Sequence, residues 1–247
     1  MFWACGGSHE KYNFDDKKMM HFPELCPVCN GCEFDQGDVL WPDLINAWQL
    51  SAKEVSYINR QQGFYCKQCF NNLRAMALVA AILREYQFQG TLSEFCSCPR
   101  ELSVLEINRA GHLTPFLEKL PSHRLVEYPQ FNMLDLNVEQ ESFDLIVHSD
   151  TLEHIENPER GLSECRRVLR EQGKCIFTIP IIVDRLNRSR AGLAPSYHGQ
   201  PNVAADDQIV WTEFGVDAWK TVLRAGFASC EIYSYEYPSA LVLIARK

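Results

Sequence analysis

The sequence predicts an α/β fold: a three-layer, mostly parallel sheet with an antiparallel C-terminal strand, preceded by a small N-terminal metal-binding module. Three observations carry this. From residue 101 onward, strand-like apolar runs alternate with helix-like segments, a rhythm that requires parallel crossovers. The chain ends on two strand-like runs, "ASCEIYSYEY" and "ALVLIARK", close enough to form a hairpin around Pro238. Eight of the 11 cysteines lie before residue 100, so the two parts of the chain differ in chemistry.

The stretch up to about residue 70 is irregular, with a short amphipathic piece near Leu44 to Leu50. A helix follows over "NNLRAMALVAAILREYQF", rich in Ala and Leu and free of Gly and Pro, with Gly90 as its stop. "ELSVLEI" reads as a strand. "LTPFLEKL" reads as a short helix, capped by Thr114 with Pro115 in its first turn. "HRLVEY" and "FDLIVHS" are two further strands, the second a buried apolar run. "NPERGLSECRRVLREQG" predicts a helix from the Asn157 cap to Gly173, with Leu162, Cys165 and Leu169 as its apolar stripe. "KCIFTIP" is the next strand. "GVDAWKTVLRAGF" is a helix on which Val216, Trp219 and Leu223 share one face. The domain boundaries predicted are 1–70 for the cysteine module and 71–247 for the sheet domain. Within the latter, 71–90 is a linking helix and 181–214 an insertion.

A chain of 247 residues holds one full core plus a small accessory module. Its formal charge of −8 disfavours binding nucleic acid through the overall field, although a local basic patch is compatible with it. No apolar run approaches the ~20 residues needed to span a bilayer, so no membrane contact is expected. The amino terminus lacks a basic start followed by an apolar stretch, which predicts no secretory leader. With an odd number of cysteines, this favours a reducing, cytoplasmic compartment in which thiols ligate metal or lie buried.

Cys26-x2-Cys29 and Cys66-x2-Cys69 form two knuckles, 36 residues apart. Zinc takes four soft ligands in a tetrahedron, and each tight turn supplies two thiolates. Four cysteines close the coordination shell, so the Zn2+ expected here is structural. Cys32 sits at the same spacing and is an alternative ligand. With Cys96 and Cys98 it also admits an iron–sulfur reading, disfavoured because no second regular cysteine run completes it.

From "VLEI" onward the chain resembles a known family. "VLEI", the long stretch "FDLIVHSDTLEHIENPERGLSECRRVLREQGKCIFTIP" and "LRAGF" before a closing hairpin occur in the order found in class I S-adenosylmethionine-dependent methyltransferases of type 11. The cysteine module, with "LRAMAL" after its second knuckle, is similar to modules ahead of some bacterial members. The resemblance implies a Rossmann-like methyltransferase sheet with S-adenosyl-L-methionine as cofactor, bound beyond the carboxyl ends of the strands at the switch point. It implies Glu127, 21 residues after Glu106, as the ribose ligand and Glu106 toward the methionine end. Asn132 falls where the family often has an Asp near the adenine amine, with Met133 beside it. His148 to Asp150 are expected to border the sulfonium. The usual Gly-x-Gly-x-Gly loop is replaced by Asn108, Ala110 and His112, with Gly111 between them. Asn tolerates positive φ better than most residues, so Asn108 and Gly111 are the expected loop contacts.

The connection "IIVDRLNRSRAGLAPSYHGQPNVAADDQIVWTEFG" is long enough to be a lid or binding segment. Arg185, Arg188 and Arg190 on it read singly as a solvated face and together as a holder of phosphate or carboxylate. Asp150 and His198 are the candidate catalytic groups, and His154 is expected to pack or form site wall. The expected activity is methyl transfer to an acceptor of unknown class: a small molecule, a sugar or glycan precursor, or a macromolecule. Two alternatives stand beside it. One is a non-catalytic binding protein with a degenerate cofactor loop; the other is a ribosomal RNA methyltransferase, to which the zinc module is also similar.

Overall fold

The computed structural model describes residues 23–197 and 206–247. The chain begins with β1 (Phe34–Gln36), α1 (Pro42–Ala47), α2 (Ala52–Gly63), β2 (Phe64–Cys66), α3 (Leu73–Glu85) and α4 (Leu92–Ser97). It continues through β3 (Ser103–Ile107), α5 (Thr114–Leu117), β4 (Ser122–Val126), β5 (Phe143–Ser149), α6 (Pro158–Val168) and β6 (Leu169–Thr178). After β7 (Ile181–Ile182), β8 (Arg188–Ser189) and β9 (Thr212–Gly215) it ends with α7 (Trp219–Arg224), β10 (Ser229–Glu236) and β11 (Ala240–Arg246).

Six strands form the main sheet in the order β10-β11-β6-β5-β3-β4. The pairs β4–β3, β3–β5 and β5–β6 are parallel, while β11 runs antiparallel to both β6 and β10. This is the mostly parallel sheet with an antiparallel C-terminal strand that the sequence predicts. The strand order reverses direction of growth between β3 and β5. The carboxyl ends of those two strands therefore open the crevice where such sheets bind ligands.

Alternation along the strands builds one core on each side of the sheet. Val104, Leu145, Val147, Ile176, Val242 and Ile244 face one side, with α3, α4 and α5 over them. Leu105, Ile107, Ile146, Phe177, Leu241 and Leu243 face the other, with α6 and α7. The N-terminal segment enters both. Cys26, Val28, Phe64 and Cys66 lie in the first core beside Leu73 and Met76 of α3, and Leu44, Trp48 and Tyr57 lie in the second. Arg60 fastens it further, donating to both oxygens of Glu236 at 2.8 and 2.9 Å.

Three sequence expectations are corrected. The α6 helix ends at Val168 rather than near Gly173, because Leu169 already pairs with Phe143 in the sheet. Leu169 is buried either way, so spacing alone could not separate a helical stripe from a strand start. Thr114 does not cap α5, and its hydroxyl donates to Glu106 Oε1 at 2.9 Å instead. On α7 and the residues flanking it, the large Val216, Trp219 and Leu223 are exposed, and Ala218, Thr221, Val222 and Ala225 are buried. The helix packs closely because its smaller side chains meet the core.

The segment between β6 and α7 is not structureless. Strands β7, β9 and β8 form a small sheet in that order. Arg185 ties this segment to the N-terminal helices, reaching Glu54 at 2.6 and 2.9 Å and the carbonyl of Trp48 at 2.8 Å. That guanidinium holds the Glu54 carboxyl down at about 2. Trp48 donates its indole N–H to Ser196 Oγ at 2.8 Å, and the Val183 amide donates to the Tyr57 hydroxyl. No helix among the described residues is long and apolar enough to cross a membrane.

Candidate functional site

A cavity of about 920 Å3 opens beyond the carboxyl ends of the parallel strands. Its floor is Ile107 and Asn108 after β3, Glu127 and Tyr128 after β4, Asp150 and Thr151 after β5, and Pro180 after β6. Phe131, Asn132 and Met133 form one wall. The roof comes from the N-terminal segment, with Trp41, Leu44 and Trp48, and from the insertion, with Ile181 and Trp211.

Of the predicted cofactor residues, Asn108, Glu127, Asn132 and Met133 line this cavity, as does Asp150. Asn108 has a φ of 52°, in the region where a glycine is usual and asparagine is tolerated. It also ties three strand ends together: its Oδ1 accepts from the Tyr128 amide at 3.1 Å, its amide donates to the Val126 carbonyl, and its Nδ2 lies 3.4 Å from Thr151 Oγ1. Glu127 is partly exposed and accepts from Arg109 Nε at 3.0 Å.

Glu106 and Gly111 lie behind the loop rather than on the cavity wall. Glu106 is fully buried and accepts from the Ala110 amide at 2.9 Å, from Thr114 Oγ1 at 2.9 Å and from His123 Nε2 at 3.0 Å. Gly111 has a φ of 66°, and a Cβ there would come within 3.3 Å of the Ala75 Cβ. Its lack of a side chain lets the loop lie against the start of α3.

His148 is also away from the cavity. It is fully buried on β5, stacks on Phe177 at 4.5 Å between ring centroids, and neither ring nitrogen has a partner among the described residues. Burial pushes its pKa down to about 3. A histidine held neutral in the fold and protonated in the unfolded chain gives full stability above its unfolded pKa, and that stability is lost as pH falls below it. Urea unfolding is therefore expected to show about 2 kcal/mol less stability at pH 5 than at pH 7 from this group. The His148→Phe variant is expected to have a correspondingly shallower acid slope; an unchanged slope would assign the acid sensitivity elsewhere.

At the polar end of the cavity the predicted Asp150 and His154 are joined by Glu153 and Arg74, which the sequence did not single out. Asp150, at a φ of 47°, pairs with Arg74 from the first turn of α3. Glu153 is buried, its two carboxyl oxygens have no hydrogen-bond partner among the described residues, and burial raises its pKa well above the usual carboxyl range. His154 Nδ1 lies 2.8 Å from the Ile209 carbonyl, which can only accept, so Nδ1 carries the proton. The Nε2 lone pair then lies 3.7 Å from Glu153 Oε1, and burial keeps the ring neutral by lowering its pKa. Glu153 sits in the quoted "LEHI" run, but Arg74 carried no signal beyond a cation in an apolar helix. His198 lies outside the described residues. The insertion arginines do not gather into an anion holder: Arg185 pairs with Glu54, while Arg188 and Arg190 pair with Glu213.

The four cysteines Cys26, Cys29, Cys66 and Cys69 come together, with all their sulfurs within 4.8 Å of one another. Sulfurs of Cys26 and Cys69 are 3.7 Å apart, as are those of Cys29 and Cys66. Four sulfurs at ~2.3 Å from a tetrahedral zinc stand about 3.8 Å apart, so the donor set fits the ion. Both knuckles are built alike. The residue after each second cysteine, Asn30 or Phe70, takes positive φ, and its amide donates to the carbonyl of the first cysteine at 2.8 Å. A Cβ on Gly31 would lie 2.9 Å from Cys66 Sγ, which is why the chain there is bare. Cys32 and Cys98 are exposed, and neither they nor Cys96 belong to the cluster.

No curated protein matches the chain. Among solved structures, an S-adenosylmethionine-dependent methyltransferase of Thermotoga maritima is 15% identical, with 63% of this chain and 86% of that one covered at a TM-score of 0.39. The 1,6-didemethyltoxoflavin-N1-methyltransferase of Burkholderia thailandensis, solved with 1,6-didemethyltoxoflavin and S-adenosylhomocysteine, is 18% identical over 69% of this chain and 78% of its own, at 0.41. An S-adenosylmethionine-dependent methyltransferase of Mesorhizobium loti is 13% identical over 59% and 91%, at 0.39. Residues 98–177 match the methyltransferase domain family of type 11, and this match spans β3 to β6, the strands whose carboxyl ends floor the cavity.

Proposed function

We propose that the chain is an S-adenosylmethionine-dependent methyltransferase acting on a small, apolar acceptor that carries no phosphate. The observation that carries this is the cavity across the switch point, with Glu127 at one strand tip and Asp150 at another. Glu127 would accept from the ribose hydroxyls, Asn132 and Met133 would flank the adenine, and Asn108 would bring backbone close to the cofactor. Bound there, the cofactor would supply an electrophilic methyl group on a cationic sulfonium.

The chain's own contribution is placement and proton handling. Asp150, held by Arg74, stands where cofactor and acceptor would meet. His154, whose Nδ1 proton is held by the Ile209 carbonyl, would take a proton from the acceptor on Nε2. Among the described residues the cavity wall carries the carboxyl groups of Glu127, Asp150, Glu153, Glu156 and Asp207, and no Lys or Arg. Glu127 pairs with Arg109 and Asp150 with Arg74, and the wall offers a phosphate no Lys or Arg of its own, which argues against nucleic acid and nucleotide-sugar acceptors. Trp41, Trp48 and Trp211 suit an apolar body, on an uncharged molecule or an amine. We propose too that residues 1–70 form the metal module, with a structural Zn2+ on the four cysteines, and that 71–247 form the methyltransferase domain.

Calorimetry with S-adenosylhomocysteine tests this. Micromolar binding is expected. The Glu127→Ala variant should lose roughly 10- to 30-fold in affinity, the cost of leaving ribose hydroxyls without their acceptor. No heat of binding at millimolar ligand would overturn the methyltransferase reading.

A further inference from the structure

The loop after β3 lacks the glycines that usually shape it, yet it is held firmly from behind. One hold is Glu106 on the Ala110 amide. The other is Asn71, a fully buried residue between the second cysteine knuckle and α3. Its Oδ1 accepts from the His112 amide at 3.0 Å, and its Nδ2 donates to the His112 carbonyl at 3.2 Å. The same Nδ2 lies 3.5 Å from Cys69 Sγ and 3.4 Å from the Cys69 carbonyl. The orientation of the amide follows from these partners, because a backbone N–H can only donate and a carbonyl only accept. The Asn71 backbone adds a further tie, its carbonyl accepting from the Cys66 amide at 3.0 Å.

A single side chain thus bridges the four-cysteine cluster and the cofactor loop, two sites far apart in sequence. A carboxamide fits this place uniquely. It offers one acceptor and two donors in a plane, and here it faces one backbone N–H, two carbonyls and a sulfur. A buried donor or acceptor left unmatched is costly, so cluster and loop cannot shift independently. A metal on the four sulfurs would fix Cys69, Cys69 would fix Asn71, and Asn71 would fix residues 111 and 112. Gly111 lies within van der Waals reach of the same side chain, 3.4 Å from its Oδ1 to a built Cβ.

We propose that Asn71 is a positioning residue that couples occupancy of the four-cysteine site to the shape of the cofactor loop, so that metal binding tightens cofactor binding. The cluster is then more than a staple for the N-terminal segment. By linkage the coupling is reciprocal, and cofactor slows loss of the metal. This rests on the methyltransferase reading for the identity of the ligand but not for the mechanical link.

The test uses the full chain as purified, with its metal, in wild type, Asn71→Ala and Asn71→Asp. Three quantities are read: metal content, S-adenosylhomocysteine affinity by calorimetry, and hydrogen exchange of the amides at 110–113. Asn71→Ala is expected to keep its metal, to lose about tenfold in affinity, and to exchange faster at 112. Asn71→Asp keeps the acceptor for the His112 amide but sets a carboxylate oxygen against two carbonyls and the Cys69 sulfur, so it should bind no better and exchange no more slowly at 112 than Asn71→Ala. Chelation of wild type should reproduce the faster exchange and the weaker binding, and chelation of Asn71→Ala should add little to either. Affinity within twofold of wild type in Asn71→Ala, or equal chelator effects in both proteins, overturns the coupling. If wild type binds no S-adenosylhomocysteine, the methyltransferase reading fails. The exchange arm still decides the link, since unchanged exchange at 110–113 after chelation of wild type refutes it.

Discussion

Replacing Cys29 with serine is expected to strip most of the bound metal and to cost the protein about 5 kcal/mol or more of unfolding free energy, a share of the ~10–16 kcal/mol that structural zinc supplies in isolated modules. The reason is geometric and chemical together. Cys29 Sγ stands 3.7 Å from Cys66 Sγ, across one edge of the sulfur tetrahedron. A serine oxygen is a harder and more basic donor that does not ionise at neutral pH, so one corner of the shell is lost. The consequence does not stay local. Cys26 and Cys66 are packed in the same core as Leu73, Met76 and Ala77 of α3, and α3 covers β10, β11 and β6. Metal analysis and urea unfolding check the result. Cys32→Ser is the matched control: Cys32 is exposed and outside the cluster, so full metal and wild-type stability are expected. Full metal in Cys29→Ser would show that the ligand set is wrong.

What the sequence made legible is instructive in its limits. The strands over "SVLEI", "FDLIVHS" and "ALVLIAR" announce themselves because strands buried on both faces have to be apolar throughout. The two knuckles were legible because the Cys-x2-Cys spacing sets two sulfurs on one tight turn. The face of α7 was not legible. Size normally marks the buried side of a helix, and here the smaller Ala218, Val222 and Ala225 are buried while Trp219 and Leu223 are exposed. Position along a strand also fails to tell which side a residue faces near the carboxyl end. His148 and Asp150 flank the same strand end, yet His148 stacks under the sheet while Asp150 turns into the cavity through a positive φ. Arg74 and Asn71 escaped notice for another reason. Their partners lie 76 and 41 residues away, and no local pattern encodes a contact of that span.

Glu106 lies near the end of β3, behind the loop rather than on the cavity wall. Its carboxyl group is fully buried and filled on three sides: the Ala110 amide and Thr114 hydroxyl on Oε1, and His123 Nε2 on Oε2. It braces the turn that Asn108 begins, in a chain without the glycines that would relax that turn. Glu106→Ala leaves these groups facing a cavity with no acceptor. At about 1–3 kcal/mol for each stranded group, partly recovered by water, the expected loss is about 4 kcal/mol of stability. Binding should suffer as well, because Asn108 and Arg109 precede the freed amide. At least a 30-fold drop in S-adenosylhomocysteine affinity is expected from calorimetry at a temperature where the variant remains folded. Glu106→Gln separates the two effects. It keeps one acceptor oxygen and the volume of the side chain, so most stability should return while its amide hydrogens face either Ala110 or His123. If Glu106→Gln binds as wild type does and Glu106→Ala loses stability alone, Glu106 braces the fold without shaping the cofactor loop. If both lose affinity in proportion to the donors they strand, the loop is held in its binding shape by that one carboxyl group.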